Sequence, residues 1–176
     1  MKALFALGAL CLLAACSGAE ETPKEQEAAA SLEAGLWEAS SEIIAFRSTD
    51  KTTPVVKAAV GDKSAIQACV TEADKAKPAP ALFSGEDHEC EYKSSYMRAG
   101  RINNSLECTR KGVTGSIPMQ IEGSFNATDF EATVTTQTYL PGSGDFAMTQ
   151  KVTGRRVMPS CPPDPDADVE KGKAKA

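Results

Sequence analysis

The sequence is poor in the residues on which catalysis and polyanion binding draw. It has one histidine, His88, one tryptophan, Trp37, and only 6% aromatic residues. A lone histidine cannot be matched by spacing to a nucleophile. The many Ser, Thr and Glu residues are accounted for by polar strand faces, so no enzyme chemistry is expected. There is no glycine-rich phosphate loop and no short-spaced cysteine or histidine pair, which argues against nucleotide-loop and zinc-site readings. The one grouping of metal-ligand types, Glu86-Asp87-His88-Glu89-Cys90, reads as a polar loop running into a strand. Basic residues are also short: 19 Lys and Arg face 24 Asp and Glu, for a formal charge of −5. That balance speaks against nucleic acid as a partner. No internal repeat is visible, and neither a metal nor a cofactor is expected.

The start of the chain carries a clear signal. Met1 and Lys2 precede an uncharged apolar run, Ala3 to Ala15, too short to be read as a spanning helix. It ends Leu13-Ala14-Ala15-Cys16, the bacterial lipobox, so residues 1–15 are expected to be cleaved and Cys16 acylated. Two or three acyl chains on one residue anchor stably, since each buried CH₂ adds roughly 0.8 kcal/mol. Ser17 rather than aspartate follows, which by resemblance to envelope lipoproteins favours the periplasmic side of the outer membrane. The expected partner at this end is therefore the membrane, through the lipid on Cys16. Residues 16–34 are polar and low in complexity and read as a tether; the Pro- and charge-rich residues 162–176 read as a disordered tail. Residues 35–161 have the size of one domain.

With Cys11 in the leader and Cys16 lipidated, Cys69, Cys90, Cys108 and Cys161 remain. An even count in an oxidising compartment reads as two disulfides. Strand register selects the pairing. Glu89 to Met97 and Arg101 to Arg110 are strand-like and flank Arg98-Ala99-Gly100, a three-residue loop whose last residue suits a left-handed glycine. Met97 then faces Arg101, Tyr96 faces Ile102, Ser94 faces Asn104, Tyr92 faces Leu106 and Cys90 faces Cys108. The pairs expected are Cys90–Cys108 and, by elimination, Cys69–Cys161. The latter closes a long loop, for which chain entropy gives roughly 4–5 kcal/mol.

The remaining pattern is mainly β. Leu36 to Phe46 is strand-like, Val55 to Val60 more weakly so, and Ile66 to Val70 is a short apolar piece. Thr71-Glu72-Ala73-Asp74 has the form of a capping box and predicts a short helix ending before Pro78, with Ala79 to Gly85 as loop. Ile117 to Phe125 and Thr128 to Tyr139 alternate, with Phe125 facing Phe130 and Ile121 facing Val134. Pro118 suits an edge or a strand start. After the turn at Pro141 to Gly144, Phe146, Met148 and Val152 mark a last strand. Five sequential strands make an antiparallel meander, expected to form a strongly curved sheet or partly closed barrel with one short helix over an opening.

Several pieces occur together in order: Gly35-Leu36-Trp37-Glu38, Gln67-Ala68-Cys69-Val70-Thr71, the hairpin cysteines, Met148-Thr149-Gln150-Lys151, Gly154-Arg155-Arg156 and Cys161. In this the chain resembles the bacterial domain of unknown function 3617 (DUF3617) family of small secreted or lipid-anchored envelope proteins. The departures are Ala34 in place of proline and Val157-Met158-Pro159-Ser160 in place of a shorter run. The resemblance implies an envelope location and disulfides, and no reaction.

Candidates for function are few. Trp37 is a core anchor or a stacking residue at a ligand mouth. Tyr92 and Tyr96, on one face of the predicted strand, are core residues or line the same mouth. Arg155 and Arg156 form a solvated rim or grip the anionic group of an envelope glycolipid. Asn126-Ala127-Thr128 matches a glycosylation acceptor but, in a bacterial lipoprotein, reads as a turn. The leading reading is a non-catalytic binding module for an apolar or amphiphilic envelope molecule, with a pocket beside Trp37, Tyr92 or Tyr96. The alternative is a protein-interaction module, such as an inhibitor or accessory subunit for a periplasmic protein. An enzyme would require His88 to line a cleft with a carboxylate.

Overall fold

Alternation along the chain produces the sheet. In a computed structural model that describes residues 31–163, apolar and polar side chains take opposite faces of successive strands. The leader, Cys16, and nearly all of the tether and tail lie outside those residues. The strands are β1 (Gly35–Ser48), β2 (Lys63–Val70), β3 (His88–Arg98), β4 (Arg101–Arg110), β5 (Val113–Phe125), β6 (Asp129–Gln137) and β7 (Phe146–Met158), with one short helix, α1 (Ala81–Ser84). They form one seven-stranded antiparallel sheet in the order β2-β1-β7-β6-β5-β4-β3. The five-strand meander is β3 to β7; β1 then pairs with β7, and β2 lies outside β1. The sheet curls into a half-barrel whose edges, β2 and β3, do not meet. Helix α1 touches both edge strands and bridges the gap.

Strand β6 shows the principle most cleanly: Phe130, Ala132, Val134 and Thr136 are buried and every residue between them is exposed. These inner positions meet Trp37, Ile121 and Val152 from neighbouring strands and Leu82 and Phe83 from α1. Burying each large side chain contributes roughly 1.5–3 kcal/mol. Leu32 joins the same core, and Leu32 and Glu33 bond to Lys75 and Ala127 through their backbones. The domain thus takes in residues that composition alone assigned to the tether.

Phe125 opposes Phe130 and Ile121 opposes Val134, as the alternation predicts. Cys90–Cys108 and Cys69–Cys161 are the two disulfides, and Tyr92 faces Leu106. Beyond Tyr92 the hairpin departs from expectation. A bulge at Lys93 shifts the register by one, so that Met97 faces Ile102 and Tyr96 faces Asn103. The connection is a two-residue turn, Ala99-Gly100, with φ of 50° and 71°, the positive pair that a type I′ turn requires. The slip exchanges the faces: Met97 is 3% exposed and Tyr96 49%. Burying methionine while exposing a tyrosine hydroxyl favours this register, and the Tyr96 N–H donates to the buried Asn104 Oδ1 at 2.9 Å.

Three further expectations are corrected. The capping-box segment makes turns, not a helix: Thr71 Oγ1 donates to Asp74 Oδ2 at 2.5 Å, and the Asp74 and Lys77 N–H groups bond to Thr71 and Asp74 carbonyls. That stretch has no apolar face to bury. The helix forms instead at Ala81–Ser84, where Leu82 and Phe83 enter the core behind Pro80. Val55 to Val60 is loop, with only Val56 buried. Pro118 sits inside an interior strand, β5, and not at its start, although its own position is edge-like on one side. It is tolerated because pairing with β6 begins only at Met119, which leaves one flank of Pro118 without a strand partner.

Candidate ligand-binding site

The half-barrel has a second, smaller cluster, Ile43, Val56, Phe146 and Met148, distinct from the main core. On the concave side, in the half of the barrel remote from Gly35, a pocket of 260 Å³ opens against this cluster. Its apolar wall is Ile43, Ile66, Ile117, Phe146 and Met148. Its polar lining includes Lys57, Asp62, Asp87, His88, Arg110 and Gln150.

Two irregular segments close over it. The first is the loop after β1. Asp50 fixes it by accepting from the Thr52 N–H at 2.9 Å and the Gly144 and Asp145 N–H groups at 2.8 and 3.1 Å. The Thr52 bonds, then those from Gly144 and Asp145, hold the Asp50 carboxyl well below the usual carboxylate range. Val55 N–H bonds to the Gly144 carbonyl at 2.9 Å, and a side chain on Gly144 would meet Val55. The second segment runs from α1 into β3. There Arg110 donates to Asp87 at 2.9 Å, and His88 Nδ1 lies 2.9 Å from the Ser84 carbonyl oxygen.

That carbonyl only accepts, so its partner assigns the proton to Nδ1 and leaves Nε2 as an acceptor. Burial, followed by the nearby Arg110 charge, pushes the His88 pKa below its ordinary value. The ring is neutral at neutral pH. His88 does line a cleft with the Asp87 carboxylate, but Arg110 engages that carboxylate. The nearby hydroxyls are engaged as well: Ser64 bonds with Ser41, and Ser84 donates to the Pro80 carbonyl. No nucleophile is held against a base there.

None of the aromatic or arginine candidates lines this pocket. Trp37 is 0% exposed, stacks on Phe130 at 6.0 Å and donates Nε1–H to the Glu33 carbonyl at 3.0 Å. It is a core anchor. Tyr92 is mostly buried, donates its hydroxyl to the Pro78 carbonyl at 2.9 Å and lies under the Lys77 ammonium; burial raises its phenol pKa. Tyr96 is on the outer face because of the Lys93 bulge, in a shallow cleft with Arg101, Asn103 and Glu122. Arg155 also faces outward, paired with Glu38 at 2.8 Å, and its hydrogen bond lowers the Glu38 pKa. Arg156 turns back over the start of the domain, bonding Ala34 O at 2.7 Å and Glu33 at 2.5 Å. Its fork binds its own chain and not a guest. The outer-face clefts are larger than the concave pocket but open, and are lined largely by polar side chains.

The pocket residues escaped sequence reasoning for a common reason. Ile43, Ile66, Ile117 and Phe146 look like any core residues: Ile66 and Ile117 belong to the main core, Ile43 and Phe146 to the smaller cluster, and only the curl brings the two pairs to one pocket. Arg110 gave one faint signal, a charged residue ending a strand whose partner strand begins at His88. Asn126 accepts from the Thr128 and Asp129 N–H groups, so that segment is a turn, as expected.

A family model described as a protein of unknown function, DUF3617, matches residues 32–161. The chain belongs to this family. In this DUF3617 domain the matched stretch begins at buried Leu32 and ends at Cys161, so it holds the whole sheet, both disulfides and the concave pocket. No curated protein and no solved structure is matched.

Proposed function

We propose that this DUF3617 protein is an envelope lipoprotein, anchored through Cys16 at the periplasmic side of the outer membrane, whose domain binds a small apolar or amphiphilic molecule without chemistry. The lipobox at Leu13 to Cys16 supports the anchor. The observation that carries the binding reading is the concave pocket, with its apolar wall and polar mouth. Ligand sites commonly combine an apolar lining with a few placed polar groups. Its 260 Å³ corresponds to on the order of nine water-sized groups, which suits a short alkyl chain or one ring.

The test is native mass spectrometry of residues 17–176 purified oxidised from a bacterial envelope. A retained small molecule, lost when Phe146 is replaced by tryptophan to fill the pocket, is the expected result. Two intact disulfides with no adduct, and no binding of added short-chain alcohols, would overturn the reading. A second reading, docking of a periplasmic protein through loops, draws on Tyr139 and Val60, which are 78% and 63% exposed.

A further inference from the structure

We infer that the guest of the concave pocket donates a hydrogen bond to His88 Nε2, so that the pocket selects a hydroxyl- or N–H-bearing amphiphile over a hydrocarbon or an anion. This rests on the binding reading above. The acceptor is the His88 imidazole. Its Nδ1 is committed to the Ser84 carbonyl at 2.9 Å, which fixes the tautomer with the proton on Nδ1. Nε2 has no hydrogen-bond partner among the described residues, and it is not among the side-chain atoms sealed in the interior without one. It is the polar atom of this ring left to face a guest, and it can only accept while the ring is neutral.

The surrounding charges exclude the other head groups. Arg110, the strongest anion-binding group of the lining, is bonded to Asp87 at 2.9 Å. Lys57 makes no ion pair among the described residues, but the lining also carries Asp62 and Glu86, so acidic groups outnumber it there. The Asp62 carboxylate accepts from the Ala59 N–H at 2.8 Å. An anionic head would find Arg110 already engaged and would meet two further carboxylates, Asp62 and Glu86, against the single cation Lys57. A pure hydrocarbon would satisfy the wall but leave Nε2 stripped of water without a partner, and an unmet acceptor carries a desolvation penalty. A neutral donor above an alkyl or ring body meets both the apolar wall and the single free acceptor of the imidazole.

The test uses two probes of equal size and equal oxygen content. 1-Octanol donates a hydrogen bond; heptyl methyl ether cannot. Both are titrated into oxidised, adduct-free protein of residues 17–176 at pH 8, with amide NMR shifts of the Ile117 and Met148 region as the readout. The alcohol is expected to bind about 5- to 10-fold more tightly, the usual worth of one hydrogen bond. His88→Phe should abolish the preference while both probes still bind; His88→Gln, whose carbonyl can accept, should keep part of it. Equal affinities in the wild type, or a preference unchanged in His88→Phe, would overturn the inference while leaving the binding reading intact. Failure of both probes to bind would remove the binding reading itself.

Discussion

Among the glycines of the sheet, Gly154 leaves the least room for a side chain. It lies on the inner face of β7, opposite Ala39 of β1 and Phe130 of β6. A Cβ built there would sit 2.0 Å from Phe130 Cε1 and 2.4 Å from Cζ. Phe130 cannot swing aside easily. Its ring stacks on Trp37 at 6.0 Å and tilts against Phe83 at 5.2 Å, which ties β6 to β1 and to α1. Gly154→Ala should therefore behave as overpacking against an immobilised ring. Such insertions cost about 1–3 kcal/mol, and the trapped ring places this one near the upper end, about 3 kcal/mol. Each kcal/mol moves the melting temperature of a domain this size by roughly 3–5 °C, so a fall of about 10 °C is expected by thermal unfolding under oxidising conditions. The cause can be isolated by a double-mutant cycle. Phe130→Leu alone loses aromatic contact and is destabilised, but the pair Gly154→Ala with Phe130→Leu should be more stable than the sum of the single effects by about 1 kcal/mol or more. A Gly154→Ala protein within about 0.5 kcal/mol of wild type, or strictly additive effects, would show that the ring relaxes freely and that the site is not overpacked.

Four other outcomes can be checked separately. Asp50→Asn should raise amide exchange across residues 51–62 selectively, because the Asp50 carboxylate anchors that loop to Gly144 and Asp145. The Asp50 pKa is lowered in the fold, so its contribution is present above the ordinary carboxylate range and disappears as pH falls; the wild-type loop should loosen in acid, while the same loop in the Asp50→Asn variant changes little. His88 is also shifted down; protonation favours the unfolded chain, so stability should fall as pH drops below about 6.5, and a denaturant series from about pH 8 to 5 should show a smaller fall in His88→Gln. Ala99→Gly should stabilise by about 0.5–1 kcal/mol in urea unfolding, since Ala99 holds φ of 50°. Replacing Cys69 and Cys161 together by alanine opens a loop of 92 residues and should cost roughly 4–5 kcal/mol by the chain-entropy relation.

Where sequence and structure agree, the physics is local and periodic. The period-two pattern of β6 and the turn chemistry of Asn126 set the β5–β6 register without reference to the rest of the chain. The cysteine pair was legible for the same reason. The misreadings came from choices settled elsewhere. A bulge at Lys93 leaves no mark in the alternation near Cys90 yet reverses the faces of Tyr96 and Met97. The Thr71 to Asp74 segment has helix-start chemistry, but a cap without an apolar face stabilises nothing, and Leu82 and Phe83 decided where the helix sits. The pocket was least legible of all. His88 was visible as a solitary residue, but its companions come from the loop after β1, from β4 and from β7, and only the curl brings them to one place. Trp37 takes the first of its two expected roles, a core anchor, and Arg156 neither of its own: both side chains close the sheet onto its own first residues.

The clamp of Arg156 on Glu33 and Ala34 and the Cys69–Cys161 bridge lie at one end of the half-barrel, and both chain ends leave the described domain there. Ile43 of the pocket is eight residues further along β1 than Gly35, roughly 26 Å at strand rise. Under the anchor proposed above, the covalent path from Cys16 to Ser31 would not exceed about 50 Å at full extension. The root of the leash and the mouth of the pocket are therefore at opposite poles. Under that anchor, the pole that both chain ends leave would be the one moored, and the pocket at the other pole would sample the volume that the leash and the length of the domain together sweep out.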